Sequence, residues 1–137
     1  MVDSQIGNAV MEKIFLDTSI FIEFARTGGG QYLEILKYAA SHNCLLITSS
    51  MVVFEFWQGR SLDNPATLQQ AEVLFSEEIT IYPVTTSIAK LVGELSRSKQ
   101  CRNVDAVLAA TALEHNAYLA TLNRKDFSTV KKLKLFD

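Results

Sequence analysis

Short β-rich runs alternate with longer helical segments along most of this chain. Strands joined by helical crossovers lie parallel, and helices cover both faces of the sheet that they form. We therefore predict an α/β fold, a three-layer α/β/α domain with a mostly parallel sheet of four to five strands. The predicted strands are residues 13–16, 45–48, 79–82 and 118–121, with a short fifth at 133–136, and the predicted helices are residues 20–25, 32–42, 51–58, 66–75, 86–98 and 105–115.

Length and composition restrict the class of protein. A chain of 137 residues with 48% hydrophobic and 20% charged residues suits one globular domain, here residues 11–137. It has no apolar run near the roughly 20 residues that cross a bilayer. Residues 1–10 lack a secretory pattern, and we expect a leader that is either an extended start or a disordered arm. Cys44 and Cys101 form no metal or disulfide pattern, so a reducing cytoplasm is expected.

Three acids stand near predicted strand ends, where parallel sheets bind their ligands. Asp17 follows the first strand directly, and it either caps the next helix or leaves that role to Thr18 or Ser19. Glu55 is the only charged residue between His42 and Arg60. Its carboxylate must face solvent, find a partner or bind a cation, because burying an unpaired charge is costly. The third acid, Asp105, shares the buried face of an Ala-rich helix. The alternative is that Asp105 has no role in binding and is an acid of the first helical turn stabilised by the helix dipole.

Such a set of carboxylates suits a hard divalent cation. Mg²⁺ and Mn²⁺ prefer carboxylate and water oxygens. Phosphodiester hydrolysis needs an activated water and neutralised phosphoryl charge, and these ions supply both. Clustered acids repel one another, and a bound ion relieves that repulsion. His42 and His115 stand at predicted helix ends and do not form a zinc set. We therefore expect a Mg²⁺ (or Mn²⁺) site built from Asp17, Glu55 and Asp105.

The charge of the chain is unevenly distributed. Through Glu94 the balance is 5 basic against 11 acidic residues, and from Leu95 onward it is 8 basic against 4 acidic. The basic end offers a nucleic acid a place to bind despite the net charge of -2, while a solvated helix face plus a charged tail is the alternative.

Three segments, residues 15–19, 49–59 and 104–127, carry a resemblance to a known family. With their acids in this order and the ending Thr-x-Asn-x-x-Asp-Phe, they resemble the PIN-domain family, and within it the VapC-type toxins of toxin–antitoxin pairs. The resemblance runs from about Lys13 to the end. It implies a Mg²⁺- or Mn²⁺-dependent endoribonuclease that cuts RNA, is silenced by a cognate antitoxin and forms a homodimer.

The resemblance also implies roles for individual residues. Asp17 and Asp105 would hold the metal directly, with Glu55 as a further ligand or as the group that orients the attacking water. A hydroxyl of Thr18 or Ser19 would assist, although the family often has Asn in place of Ser19. By the same resemblance, basic residues on either side of the acids would contact RNA phosphates, with solubility as the alternative role: Arg97, Lys99, Arg102, Arg124 and Lys125.

The chain departs from the family at one acidic position. Many members have a fourth acid where this chain has Asn123, whose carbonyl oxygen still coordinates a metal or positions water. Asp126 either substitutes for that acid or is a turn residue before Phe127.

The same residues bear on three other functions. The missing fourth acid leaves a non-catalytic RNA- or protein-binding module as the alternative. A phosphate-accepting receiver is disfavoured because residues 13–18 hold one acid and residues 45–50 hold none. A haloacid-dehalogenase-type phosphatase is disfavoured because no second Asp stands two residues after Asp17.

Overall fold

A computed structural model describes residues 11–75 and 78–137 of the chain. The expected leader, residues 1–10, lies outside the described residues. The strands are β1 (Lys13–Leu16), β2 (Leu45–Ser49), β3 (Thr80–Tyr82) and β4 (Tyr118–Ala120). The α-helices are α1 (Thr18–Thr27), α2 (Gln31–His42), α3 (Ser50–Trp57), α4 (Pro65–Leu74), α5 (Thr86–Arg97), α6 (Asn103–Glu114) and α7 (Arg124–Phe127), and a 3-10 helix spans Arg60–Asp63.

The four strands form one parallel sheet in the order β3-β2-β1-β4. Phe15 of β1 is paired with Ile47 on one side and with Leu119 on the other. Helices cover both faces, so the predicted three-layer α/β/α fold with a parallel sheet is confirmed. The predicted fifth strand is reduced to a single bridge between Leu119 and Leu135.

Central strand β1 is buried on both faces. Its residues Ile14, Phe15 and Leu16 are at most 1% exposed, as expected for a parallel strand between two helical layers. Thr48 of β2 is also fully buried, and its hydroxyl donates to the backbone carbonyl of Leu16 at 2.8 Å. This bond ties the carboxyl ends of the two central strands together.

Helix α6 packs through small side chains. Four of its alanines are completely buried, and they lie against the sheet and the neighbouring helices: Ala106, Ala109, Ala110 and Ala112. Small residues allow a helix backbone to lie close to its neighbours, and such an interface has no room for larger groups. This close packing sets the position of Asp105, which lies in the first turn of α6.

The pattern of hydrophobic residues did not predict the two shortest helices. The 3-10 helix and α7 are four residues each and lack a readable helical period. Both are formed by their surroundings, since Leu62 and Phe127 anchor them in the core. Within residues 11–75 and 78–137, no helix has the length and apolar character that crossing a membrane requires.

We expect Ala109→Leu to destabilise the fold. The added methylenes would enter a fully packed interface, and overpacking of this kind costs about 1–3 kcal/mol. Urea unfolding measures the change as a lower midpoint at an unchanged slope. Ala89→Leu, at an exposed position of α5, is the matched control and should leave the midpoint nearly unchanged. Equal midpoints for the two variants would contradict close packing at α6.

Candidate functional site

The carboxyl ends of β1 and β4 hold the centre of the site. Asp17 directly follows β1, and its backbone amide donates to Ala120 of β4 at 3.0 Å. Thr121 directly follows β4. The side chains of Asp17 and Thr121 are 4% and 7% exposed, so both polar groups lie inside the protein at the sheet edge.

Asp17 is held by two hydroxyl groups. Ser19 Oγ donates to Asp17 Oδ2 at 2.8 Å, and Thr121 Oγ1 donates to the same oxygen at 2.7 Å. The other oxygen, Oδ1, has no hydrogen-bond partner in the described part of the chain. Since no buried side-chain polar atom there lacks a partner, Oδ1 is in contact with solvent. The hydroxyls therefore fix the carboxylate and leave one of its oxygens open to a ligand.

Capping of α1 does not occur as the sequence suggested. Asp17 stands at the N-cap position, but its side chain accepts no hydrogen bond from the backbone amides of the first turn. The expectation that Thr18 or Ser19 takes over the capping role is also wrong, because Thr18 donates to Glu55 and Ser19 donates to Asp17. Each of the three side chains also has a partner that is distant in sequence: Thr121 for Asp17, Glu55 for Thr18 and the Leu122 amide for Ser19.

The same hydroxyls anchor the loop after β4. Ser19 Oγ accepts from the amide of Leu122 at 3.0 Å, and Thr121 Oγ1 accepts from the amide of Asn123 at 2.9 Å. The prediction placed Thr121 inside a strand and gave it no role. Its position as the first residue after β4 was the signal, because that edge of the sheet also holds Asp17.

Glu55 reaches the site from α3, the helix that follows β2. Its carboxylate oxygen Oε1 accepts a hydrogen bond from Thr18 Oγ1 at 2.5 Å. The side chain is half-buried, while its neighbour Phe54 is 55% exposed and Phe56 is buried. Glu55 therefore does not belong to a solvent stripe, since it turns inward toward α1.

Asp105 lies close enough to the other three acids to feel their negative charges. Its carboxyl group is half-buried and forms no hydrogen bond or ion pair within the described segments. The pKa of this carboxyl group is raised, first by burial and then by the negative charges of Asp17, Asp126 and Glu55. Three acids thus act on Asp105, and none of the four carboxylates is paired with a basic side chain among the residues that the structure describes.

Of the two candidates for a fourth site residue, only Asp126 lies beside Asp105. The two acids line an open pocket of about 600 Å³ together with Lys99 and Arg102. Asn123 uses its backbone amide to bond Thr121, and its side chain forms no hydrogen bond within the described residues.

A thiol that the sequence did not single out shares this pocket. Burial, followed by the charge of Asp105, raises the pKa of Cys101. Cys101 and Cys44 are both free cysteines.

The five predicted RNA contacts have different surroundings. Lys99 and Arg102 line the acid pocket, and Arg97 lines an adjacent groove. Arg124 is engaged by the chain itself, because its guanidinium donates to the Phe136 carbonyl at 2.8 Å and pairs with Asp137 at 3.3 Å. Lys125 is exposed and forms no ion pair within the described parts of the chain.

The acids do not form a closed cage for an ion. In the described ranges, no three Asp, Glu, His or Cys side chains are grouped closely enough to hold one metal. Mg²⁺ usually keeps several waters and takes only one or two carboxylates from the protein, so a closed cage is not required. An open oxygen on Asp17 and an unpaired Asp105 suit such a hydrated ion, and the donor set fits Mg²⁺ or Mn²⁺.

Several solved structures that are similar to this chain are toxin–antitoxin proteins. VapBC2 from Rickettsia felis, bound to a promoter DNA fragment, is 25% identical with a TM-score of 0.79, covering 90% of this chain and 97% of that chain. VapBC-1 from nontypeable Haemophilus influenzae is 25% identical with a TM-score of 0.74, covering 91% and 97%. The sarcin-ricin loop cleaving toxin VapC20 of Mycobacterium tuberculosis, at 23% identity and a TM-score of 0.66, covers 90% and 99% and supports the fold alone.

The sequence itself matches a family profile. No curated protein matches the chain. The PIN domain profile, in contrast, matches residues 14–133, which include most of β1, all four acids and the loop after β4. PIN domain and VapC proteins are ribonucleases that generally use divalent metals, in agreement with the acids gathered at this sheet edge. The chain belongs to the PIN domain family.

Proposed function

We propose that this protein is a divalent-metal-dependent endoribonuclease that hydrolyses RNA phosphodiester bonds, and that it is the toxin of a toxin–antitoxin pair. The observation that carries the proposal is the clustering of Asp17, Glu55 and Asp126 around Asp105, with none of the four acids in an ion pair with a basic side chain of the described residues. Repulsion among clustered carboxylates opposes folding, and a bound divalent cation would offset that repulsion.

Asp17 and Asp105 would hold Mg²⁺ or Mn²⁺, with Asp126, in place of Asn123, as the fourth acid beside them. The bound ion would supply an activated water and neutralise charge on the phosphoryl group. Glu55 would serve as a further ligand or orient the attacking water. Thr18 fixes Glu55 through its hydroxyl, so this carboxylate is aimed before substrate arrives.

Substrate binding would use the unpaired cations beside the acids. Lys99 and Arg102 share the pocket with Asp105 and Asp126, and Lys125 is adjacent to Asp126 in sequence. A phosphate held by these side chains would lie next to the metal ligands, since one pocket contains both. Such contacts position an RNA backbone without reading its sequence.

The partner we propose is a short antitoxin protein. VapBC2 and VapBC-1 are toxin–antitoxin complexes, and this chain has their fold over almost the whole length of the matched chains. We also propose a homodimer, as is usual in the family. Co-expression with the protein encoded by the adjacent reading frame, followed by light scattering of the purified material, measures both assemblies.

RNA cleavage should require Asp17 and Asp105. With structured RNAs and Mg²⁺ or Mn²⁺, we expect Asp17→Ala and Asp105→Asn to lower the cleavage rate by more than about 100-fold, since even outer partners of metal ligands are worth 10–100-fold. Asp63→Asn is the matched control, because Asp63 is an exposed acid of the 3-10 helix. Undiminished cleavage by both site variants would contradict the proposal, and RNA binding without cleavage by the wild type would favour the non-catalytic module.

Repulsion among the acids should be measurable as metal-dependent stability. The pKa of Asp105 is raised in the folded state, so at neutral pH its charge opposes folding, and the wild type loses stability relative to Asp105→Asn as pH rises through that pKa. In EDTA at pH 7 we expect Asp105→Asn to melt about 1–3 °C higher, because solvent screening keeps the effect below about 1 kcal/mol. Adding Mg²⁺ should raise the Tm of the wild type and of Asp63→Asn, but not that of Asp105→Asn. An equal metal response in all three proteins would place the ion elsewhere.

The hydroxyl of Thr121 should position Asp17. Thr121→Val keeps the shape and removes the donor to Asp17 Oδ2, and we expect a 10–100-fold loss of cleavage with a higher Mg²⁺ requirement. Thr121→Ser keeps the hydroxyl and should restore both. Metal titrations of the cleavage rate separate this effect from simple destabilisation, which would leave the Mg²⁺ midpoint unchanged.

A further inference from the structure

A second groove lies directly beside the pocket that contains Asp105 and Asp126. It has a volume of about 450 Å³, and Gln100 lines both cavities, so the two are neighbours. We name it the α5 groove. Its apolar lining consists of Leu91, Leu95, Leu113 and Val130, and its basic lining consists of Arg97, Lys131 and Lys132.

The cations of the α5 groove are free to bind a ligand. Arg97, Lys131 and Lys132 are exposed, and none forms an ion pair with another described residue. Glu94 is the one acid that lines the groove, so its lining is net positive. Positive charge concentrated in a cleft attracts anions even when the whole chain carries a net charge of -2.

Gln100 gives the groove a preformed wall. Its side-chain oxygen accepts from the amide of Lys131 at 3.0 Å, and its carbonyl accepts from Thr129 Oγ1 at 2.6 Å. Its side-chain nitrogen donates to Ser98 Oγ at 2.9 Å. The loop after α5 and the segment that carries the two lysines are thereby joined before any ligand arrives, which lowers the ordering cost of binding.

We propose that the α5 groove binds the RNA backbone next to the bond that is cut, an inference that rests on the proposed function. The strand would pass from the acid pocket across Gln100, so that its phosphates meet Arg97, Lys131 and Lys132 while a base covers the leucine lining. Phosphate neutralisation by lysine and arginine is the main source of sequence-independent affinity for RNA. Apolar contact with a base adds affinity that tolerates any base, because every base has an apolar face.

The salt dependence of RNA binding tests the groove. A labelled single-stranded 15-nucleotide RNA and a 3-nucleotide RNA would be bound to the Asp105→Asn protein, which keeps the substrate intact. Lys131→Gln/Lys132→Gln would be compared in that background with Lys37→Gln/Lys90→Gln, a control that removes two exposed cations outside the groove. Losing two phosphate contacts lowers the salt slope by about 1.4, which corresponds to about 25-fold weaker binding at 0.1 M salt.

We expect Lys131→Gln/Lys132→Gln to lower the salt slope for the 15-nucleotide RNA and to leave the slope for the 3-nucleotide RNA unchanged. The control double variant should change neither slope. Arg97→Gln, on another part of the lining, should lower the slope by about 0.7. Equal slopes for the groove variants and the control would overturn the proposal, while Asp105-dependent cleavage by the wild type would leave the proposed function standing. A wild type that neither binds nor cuts RNA would overturn both. Weaker binding of the antitoxin instead of RNA would assign the groove to a protein partner and overturn the RNA proposal.

Discussion

The parallel pairing of β1 between β2 and β4 is the constraint on which the site depends. Parallel strands bring their carboxyl ends to one edge, so the residues that follow β1 and β4 meet although they are 104 positions apart in sequence. The backbone bond from Asp17 to Ala120 extends this pairing into the site itself. The hydroxyl bonds among Asp17, Ser19 and Thr121 have their short distances because the strands already hold these residues together.

The gathered acids act against folding, and the surrounding structure compensates for them. Hydroxyl groups donate hydrogen bonds to the carboxylates of Asp17 and Glu55 and hold them in place, whereas Asp105 receives no such donor from the described residues. The fully buried alanines that follow Asp105 in α6 fix the position of the helix that carries it. The fold thus holds four carboxylates together despite their repulsion, and local features that oppose folding are typical of functional sites.

Much of this arrangement could be predicted from particular residues. Four strands and six of the helices followed from hydrophobic period and turn residues, and the acids stood out because each follows a strand or opens a buried helix. The short helix that carries Asp126 could not be predicted, because four residues give no period and its anchor Phe127 depends on the core. Arg124 illustrates the same limit, since its bonds to Phe136 and Asp137 depend on how these residues pack beside α7.

The sequence alone determined the order of the elements, the parallel sheet and the position of Asp17, Glu55 and Asp105 near strand ends, because periodicity and local residue types decide secondary structure. Only the tertiary structure decided which side chains meet. It directed the hydroxyls of Thr18 and Ser19 away from capping, brought Asp126 rather than Asn123 beside Asp105, and joined Gln100 to the segment of Lys131. Contacts between distant residues depend on how the layers pack, and local sequence does not determine that packing.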